Sequence, residues 1–236
     1  MKYSKFGLAA VIIAAFIIFT SCNTIEGNGD LMSSERIVSA FEKIHSGSSV
    51  IINFHISQEY RAVVTADSNL IKFVTTTVRN NTLNIGVEKG VYSFTKLTVD
   101  VYSPVLTGVS ISGSGSFDSN DRITASVFEA NISGSGKVKV IIESKTFTSG
   151  ISGSGNMIIS GNNNDLNIMI SGSGKFNGNE FINNNAIVDI SGSGTATFFV
   201  TDNLNARISG SGRLNYRGNP SVVNTNVTGS GQINKL

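Results

Sequence analysis

The residue types that most often do chemistry are few in this chain and widely separated. It has two histidines, His45 and His55, and one cysteine, Cys22, and no two of them have the spacing of metal ligands. We therefore expect neither a metal nor another cofactor. The simpler interpretation of His55 is a surface histidine on a strand, and a ligand or a general base is the alternative.

Carboxylates are the next candidates, because a glycoside hydrolase needs two of them converging on one bond. In the repeats described below, the acidic residues fall at unrelated positions, and Trp, a common sugar-stacking residue, is absent. They are Asp118, Asp121, Glu129, Glu143, Asp165, Glu180, Asp189 and Asp202. We predict that the protein is not an enzyme. A glycan-active enzyme on a β-helix, a polysaccharide lyase or hydrolase, is the alternative.

Glycine-rich segments suggest two further chemistries, and neither fits. Gly134-Ser135-Gly136-Lys137 has part of a phosphate-binding loop, but the full spacing and the following Ser or Thr are missing. A calcium-binding β-roll needs an Asp after the glycines of each turn. The residues at that position here are Ser, Lys, Asn, Lys, Thr, Arg and Gln, so calcium of that type is not expected.

Basic residues form one regular pattern. Five positions after the start of a repeated signature, every second repeat carries a cation, namely Lys137, Lys175 and Arg213. In a stack of coils these side chains would line up about 10 Å apart. The stripe is a candidate site for an anionic glycan or a lipid headgroup. Solvated charge, spaced to avoid repulsion between adjacent rungs, is the alternative.

The signature that sets these positions is Ile-Ser-Gly-Ser-Gly. Successive copies are 21, 19, 19, 20, 18 and 19 residues apart, too regular for a Gly/Ser-rich linker. The copies begin at Ile111, Ile132, Ile151, Ile170, Ile190 and Ile208, with a Val-Thr-Gly-Ser-Gly variant at Val227.

Apolar and polar positions alternate around each signature. The positions two and four residues before the Ile, and six after it, are mostly apolar, whereas the odd offsets are mostly polar. A period of two is that of a β-strand with one buried face. The alternation predicts that the Ile and both glycines face inward and the serines outward. Glycine would permit a close approach or a positive φ where the chain turns.

A unit of about 19 residues predicts one coil of a solenoid, since a propeller blade needs about 40. The predicted fold is all-β, a right-handed parallel β-helix whose coils bury their apolar faces on one another. Length variation falls in Asn-rich stretches such as 162–164 and 183–185, where stacked amide ladders can form.

The N-terminal third lacks the signature, although strand-like alternation recurs from Ile37 to Pro104. A solenoid needs an atypical first section that covers the open end of its core. We therefore predict an irregular β cap at 37–110, ahead of the repeat solenoid at 111–236. A separate small β-domain is the alternative for the first of these segments.

The first residues predict export. Lys2 and Lys5 precede an uncharged run of 13 residues, Gly7 to Phe19. That length suits the core of a signal peptide and falls short of the roughly 20 residues of a membrane span. We predict a signal peptide at 1–21.

The end of this segment predicts a lipid anchor. Phe19-Thr20-Ser21-Cys22 resembles a lipobox, with Phe where Leu is usual, so Cys22 is the predicted lipidation site. The polar, Gly-containing residues that follow predict a lipidated tether at 22–36. An ordinary cleavage site that leaves a free thiol is the alternative.

Charge argues against nucleic acid as a partner. The chain has 18 Lys+Arg and 16 Asp+Glu, and loss of Lys2 and Lys5 with the signal peptide leaves 16 of each. Binding to nucleic acid needs clustered basic residues that neutralise phosphates. With a single cysteine, no disulfide can form within the chain, so its stability must come from packing.

Several segments besides the signature point to one family. They are Phe41-Glu42-Lys43-Ile44, Tyr102-Ser103-Pro104, Tyr216-Arg217-Gly218-Asn219-Pro220 and Thr228-Gly229-Ser230-Gly231-Gln232-Ile233. Together with the repeats, they resemble the head GIN-domain family of auto-transporter adhesins over about residues 37–236. The resemblance implies a parallel β-helix and an exported or lipid-anchored bacterial protein. It supplies no catalytic residues.

The predicted function is therefore that of a cell-envelope lipoprotein, a non-catalytic adhesion or binding scaffold that works through the polar faces of a β-solenoid. Its expected partners are the membrane, through the lipid anchor, and an envelope glycan or a surface protein. The outer membrane is its expected location, on the periplasmic or the surface face.

Overall fold

The chain folds as a β-solenoid of about seven turns, each of roughly 19 residues, which confirms the predicted fold class. The computed structural model describes residues 24–90 and 92–236. The signal peptide predicted at 1–21 and the lipidation predicted at Cys22 lie outside these residues. Within the described part, no helix combines the length and hydrophobicity needed to cross a membrane.

The strands that precede the repeats are mostly short. They are β1 (Ile25–Glu26), β2 (Leu31–Ile37), β3 (Lys43–Ser46), β4 (Ile51–Ile56), β5 (Arg61–Asp67), β6 (Val74–Arg79), β7 (Thr82–Val87), β8 (Tyr92–Ser93), β9 (Leu97–Ser103) and β10 (Gly108–Gly113). A 3₁₀ turn at Ile71–Phe73 leads into β6. The first signature begins within β10.

The repeats form longer strands. They are β11 (Ser116–Gly134), β12 (Lys137–Gly153), β13 (Asn156–Gly172), β14 (Lys175–Gly192), β15 (Thr195–Gly210), β16 (Arg213–Arg217), β17 (Val222–Gly229) and β18 (Gln232–Lys235). Each of the strands β11 to β15 is a whole coil. It begins after the second glycine of one signature and ends at the first glycine of the next.

The coils stack in parallel and in register. Ile111 pairs with Ile132 and Ile132 with Ile151, and the same pairing continues through the later signatures to Val227. The six signature isoleucines are at most 2% exposed, so the predicted inward column is confirmed. Phenylalanines fill the centre of the core beside it, as in the stacked rings of Phe128 and Phe147, whose centroids are 5.9 Å apart.

The two glycines of each signature have different roles, although the alternation predicted both to face inward. The first ends a strand with a positive φ, +120° at Gly134 and +112° at Gly153, and is only half-buried. The second is buried, as at Gly136 and Gly155. The assignment of the first glycine was wrong because the positive φ interrupts the two-residue alternation at the corner.

The strands before the repeats continue the same stack. β10 pairs in parallel with β3 and β3 with β7, while β11 pairs with β4 and β4 with β9. Antiparallel strands then cover this end: β6 lies on β7, β5 on β9 and β2 on β5. One hydrophobic cluster runs from Phe41 to Leu214 through both segments.

The tether predicted at 22–36 is wrong over much of its length. β1 pairs with β8, and residues 31–36 belong to β2, which pairs along its whole length with β5. Arg36 holds β2 in place by donating from Nη1 to the carbonyl oxygen of Val74 at 2.6 Å. This strand was hard to recognise from the sequence because β2 is an edge strand, largely exposed and without an apolar alternation.

An amide ladder forms inside one corner, as the Asn-rich stretches predicted. Ser144 Oγ donates to Asn163 Oδ1 at 2.9 Å, and Asn163 Nδ2 donates to Asn183 Oδ1 at 3.1 Å. The amide of Asn183 donates to the carbonyl oxygens of Phe181 and Phe199, at 2.8 and 3.1 Å. These bonds satisfy polar groups that would otherwise be costly to bury.

Candidate binding surface

The solenoid has two long outer faces on either side of the signature corner. We call the outward side chains just before each signature, on β7, β3, β10, β17 and the last part of β11 to β15, the signature face. Those just after it, on β9, β4, β16, β18 and the first part of β11 to β15, are the stripe face.

The three cations singled out in the sequence form one column on the stripe face. Asn156 lies between Lys137 and Lys175 in the register, and Thr195 lies between Lys175 and Arg213. Two rungs therefore separate successive cations, a distance of about 10 Å. All three side chains are exposed, and in the part of the chain that the structure describes none of them forms a salt bridge.

A second column lies two residues further along each coil. Lys139 Nζ is 3.5 Å from Asp118 Oδ2 and donates to Asn120 Oδ1 at 3.0 Å. This neighbouring charge is thus neutralised, and the stripe keeps its positive charge. Sequence reasoning missed the pair because Asp118 and Lys139 are 21 residues apart. The repeat alignment places both two residues after the stripe position, which was the available signal.

Amides and hydroxyls accompany the cations on this face. Asn215 Nδ2 donates to Thr197 Oγ1 at 3.5 Å, and Asn234 Nδ2 donates to Asn215 Oδ1 at 3.1 Å. Ammonium and guanidinium groups form charge-assisted hydrogen bonds with carboxylate, sulfate and phosphate oxygens. The face is therefore suited to an elongated anionic ligand that runs along the solenoid axis.

His55 lies in a surface stack on the stripe face. Its ring stacks on Tyr102 with centroids 4.9 Å apart, and Nε2 is 3.6 Å from Asp100 Oδ1. From the strand on the other side, the guanidinium carbon of Arg61 lies 3.6 Å from the centroid of Tyr102. This packing agrees with the simpler interpretation of His55 as a surface histidine.

His45 lies on the signature face, beside a depression of about 480 Å³. Gly108 and Arg79 are among the residues that line it. Across Gly108, Lys43 Nζ and Glu129 Oε2 are 2.9 Å apart. Glu129 is therefore engaged in an ion pair with Lys43.

Other acidic residues of the repeats serve the fold. Asp121 Oδ2 accepts the N–H of Ile56 at 2.8 Å, and Asp165 Oδ1 accepts from Asn185 Nδ2 at 2.8 Å. Within residues 24–90 and 92–236, no group of three or more His, Cys, Asp or Glu side chains is arranged to hold a metal ion.

A buried carboxylate that sequence reasoning missed is Asp67. Its Oδ1 accepts the N–H of Gly29 at 2.9 Å, and its Oδ2 accepts the N–H of Thr95 at 2.8 Å. Burial by itself raises the pKa of Asp67, but hydrogen bonds from the Thr95 side chain and from the N–H groups of Gly29, Thr95 and Lys96 hold the pKa below its usual value. Asp67 thus joins two loops that are far apart in sequence.

A parallel β-solenoid with polar and cationic columns along an open outer face is, as a class, a repeat protein that offers an extended surface for binding. The chain belongs to the family described as "Putative auto-transporter adhesin, head GIN domain", whose model matches residues 40–220. The family resemblance found in the sequence is thereby confirmed.

Solved structures share the fold over nearly the whole chain. A "putative adhesin" from Bacteroides fragilis has a TM-score of 0.84 at 22% identity, covering 90% of this chain and 100% of its own. A "putative adhesin" from Parabacteroides merdae has 0.75 at 23%, covering 90% and 99%. A "putative lipid binding protein" from Parabacteroides distasonis has 0.73 at 25%, covering 91% and 100%. No curated protein matches the chain.

Proposed function

We propose that this protein is a cell-envelope lipoprotein, anchored to the outer membrane through Cys22, that acts as a non-catalytic binding scaffold. Membership of the head GIN-domain family supports an adhesion or binding role and a location at the surface or envelope. The lipobox-like residues before Cys22 support the anchor. A relative from Parabacteroides distasonis carries the description "putative lipid binding protein", which also supports a place at a membrane.

The observation that carries the proposal is the spacing of Lys137, Lys175 and Arg213. Three exposed cations recur on every second coil, and their side chains have no carboxylate partner among the described residues. A fold that needed these charges for its own stability would pair them. The stripe therefore has its charge available to a ligand.

The ligand class that fits best is an acidic polysaccharide. Such a polymer carries carboxylate, sulfate or phosphate groups at regular intervals, as the stripe carries cations. Exposed ion pairs contribute only about 0.2–1 kcal/mol each. Affinity would therefore come from several contacts made together, in which one linear ligand engages successive coils. A surface protein with an acidic edge is the second ligand class, and it lacks this periodic match.

Binding of the mature chain to a sulfated and to a neutral polysaccharide, over a range of salt concentrations, tests the ligand class. Replacing Lys137, Lys175 and Arg213 with Ala should remove both the preference for the anionic polymer and the salt dependence of its binding. Salt weakens binding by screening exposed charges beyond about 10 Å at 0.1 M, and the variant lacks the charges that would be screened. The matched control replaces Arg122, Lys145 and Arg207, which are exposed cations outside the stripe face. Equal losses in both triple variants would contradict a role of the stripe.

The anchor and the absence of catalysis have separate tests. Radiolabelled palmitate should enter the wild type and not Cys22→Ser, which should move to the soluble fraction. Equal labelling of both would contradict the anchor. Release of oligosaccharides from the bound polysaccharide, abolished by one carboxylate substitution, would contradict the scaffold role.

A further inference from the structure

The folded part of the chain begins very close to the proposed lipid anchor. Ile25 of β1 pairs in parallel with Tyr92 of β8, and the N–H of Gly27 donates to the carbonyl oxygen of Ser93 at 2.8 Å. Three residue steps separate Cys22 from Ile25, and an extended chain spans at most about 11 Å over them. If Cys22 is acylated, as the proposed function states, β1 begins within that distance of the acylated residue, and β8 lies beside β1.

The surface at this end is rich in exposed apolar side chains. Ile25, Leu31 and Met32 are 46%, 45% and 47% exposed. Leu31 pairs with Asp67, whose carboxylate binds the N–H of Gly29, so β2 is fixed beside the turn that follows β1. Exposed apolar residues that cluster in one place mark an interaction surface more often than scattered ones do.

Aromatic side chains adjoin these residues. The ring of Tyr92 stacks on Phe73, with centroids 4.7 Å apart, and lies 6.3 Å from the ring of Phe94. Tyr92 and Phe94 also line a cleft of about 610 Å³, together with Ile51 and Leu97. Amphipathic aromatic residues are enriched where proteins meet the interfacial layer of a membrane.

The charges at this end are balanced. The exposed lysines at 72, 89 and 96 are matched in number by the exposed carboxylates of Glu26, Asp30 and Glu88. A balanced set gives little net attraction to anionic lipid. The apolar and aromatic side chains must therefore carry any contact with a bilayer, and that contact should depend little on salt, unlike binding at the stripe.

We propose that the end of the solenoid formed by β1, β8 and the start of β2 is a membrane-contacting surface. It rests in the interfacial layer, with the exposed Ile25, Leu31 and Met32 against the lipid and the half-buried Phe94 at the edge of the contact. The inference rests on the proposed lipid anchor for its geometry and adds a second point of attachment. Two weak membrane signals together hold a protein far more firmly than one.

The chain has no tryptophan, so one introduced tryptophan reports on a single position. We would place it by Phe94→Trp at the proposed contact and by Tyr216→Trp in β16 as the distant control. Met32→Trp, at an exposed site, is a second reporter in case Phe94→Trp does not fold. The acylated full chain is reconstituted with vesicles of phosphatidylethanolamine and phosphatidylglycerol, with and without brominated acyl chains.

Tryptophan at 94 or 32 should shift to the blue on vesicles and lose most of its fluorescence with brominated lipid, at low and high salt alike. Tryptophan at 216 should do neither. Palmitate labelling of the same variants separates the two proposals. A labelled chain without quenching at 94 and 32 overturns the membrane contact and leaves the anchor intact. If no variant is labelled, the anchor is wrong. Quenching at 94 and 32 in the unacylated chain would then still support the membrane contact, and its absence would overturn it.

Discussion

The Cγ2 atom of Ile132 occupies the space that a β-carbon on Gly155 would need, because the two positions are only 2.5 Å apart. The same relationship joins Ile111 to Gly136, at 2.7 Å. Each coil thus fits its second signature glycine over the isoleucine of the preceding coil. The Ile and Gly of successive signatures are therefore one packing unit, which accounts for their joint recurrence.

Gly155→Ala should destabilise the fold by roughly 1–3 kcal/mol, because the added methyl group has no room beside Ile132. Denaturant unfolding measures the loss. Gly150→Ala is the matched control: its β-carbon would meet the far end of the Asn131 side chain, which can move aside. We expect a change within about 0.5 kcal/mol there. Equal costs at both positions would contradict the packing unit.

Ile151→Asp should destabilise the protein by several kcal/mol, because it places an unpaired charge in a column that is 2% exposed at this residue. Ser154→Asp introduces the same side chain three residues away, at an exposed position, and should be nearly silent. Thermal unfolding of both variants provides the comparison. Similar tolerance of the two changes would show that the inward and outward assignments are wrong.

Asn183→Ala should cost roughly 1–3 kcal/mol, because it leaves the buried amide of Asn163 and two carbonyl oxygens without their partner. The exposed ladder offers the control. Asn203 donates to Asn185 Oδ1 at 2.6 Å where water can replace it, so Asn203→Ala should change the free energy of unfolding little. A larger loss for Asn203→Ala than for Asn183→Ala would count against the buried ladder as a stabilising element.

Asp67→Asn should lower the melting temperature at neutral pH, because an amide cannot accept the hydrogen bonds of Gly29 and Thr95 through two oxygens. The pKa of Asp67 lies below its usual value in the fold, so its stabilisation is complete above pH about 4. It is lost as the pH falls through the folded pKa. Thermal unfolding from neutral to acidic pH should show a shallower acid dependence in the variant; an unchanged dependence would contradict this role.

Much of the fold could be predicted because the repeat carries its own alignment. The repeat spacing alone predicted that Ile132 stacks on Ile111 and that Lys175 lies two rungs beyond Lys137. The strand register confirms both predictions. The tether was mispredicted because β2 has no apolar period, and its contacts, such as that from Arg36 to Val74, join residues 38 apart.

The candidate site was only partly predictable for the same physical reason. The stripe follows from one offset in the repeat. Asp67 instead contacts loops outside the repeats, and no sequence periodicity indicates that these loops lie close together. The apolar end near Ile25 was likewise hidden, because its members come from β1, β2 and the segment around Tyr92. Only the folded chain brings them together.

The parallel stacking of the coils also determines how this protein would unfold under mechanical tension. Hydrogen bonds between coils run roughly along the solenoid axis, since they cross from strand to strand. A pull on the C-terminal coils against a fixed N-terminal end would load those bonds one coil at a time, in peeling rather than in shear. Each detached turn of roughly 19 residues would add about 65 Å of extended chain. The remaining coils keep their own contacts. Under flow the protein would therefore unfold and lengthen one coil at a time, which would limit the force on its bound ligand.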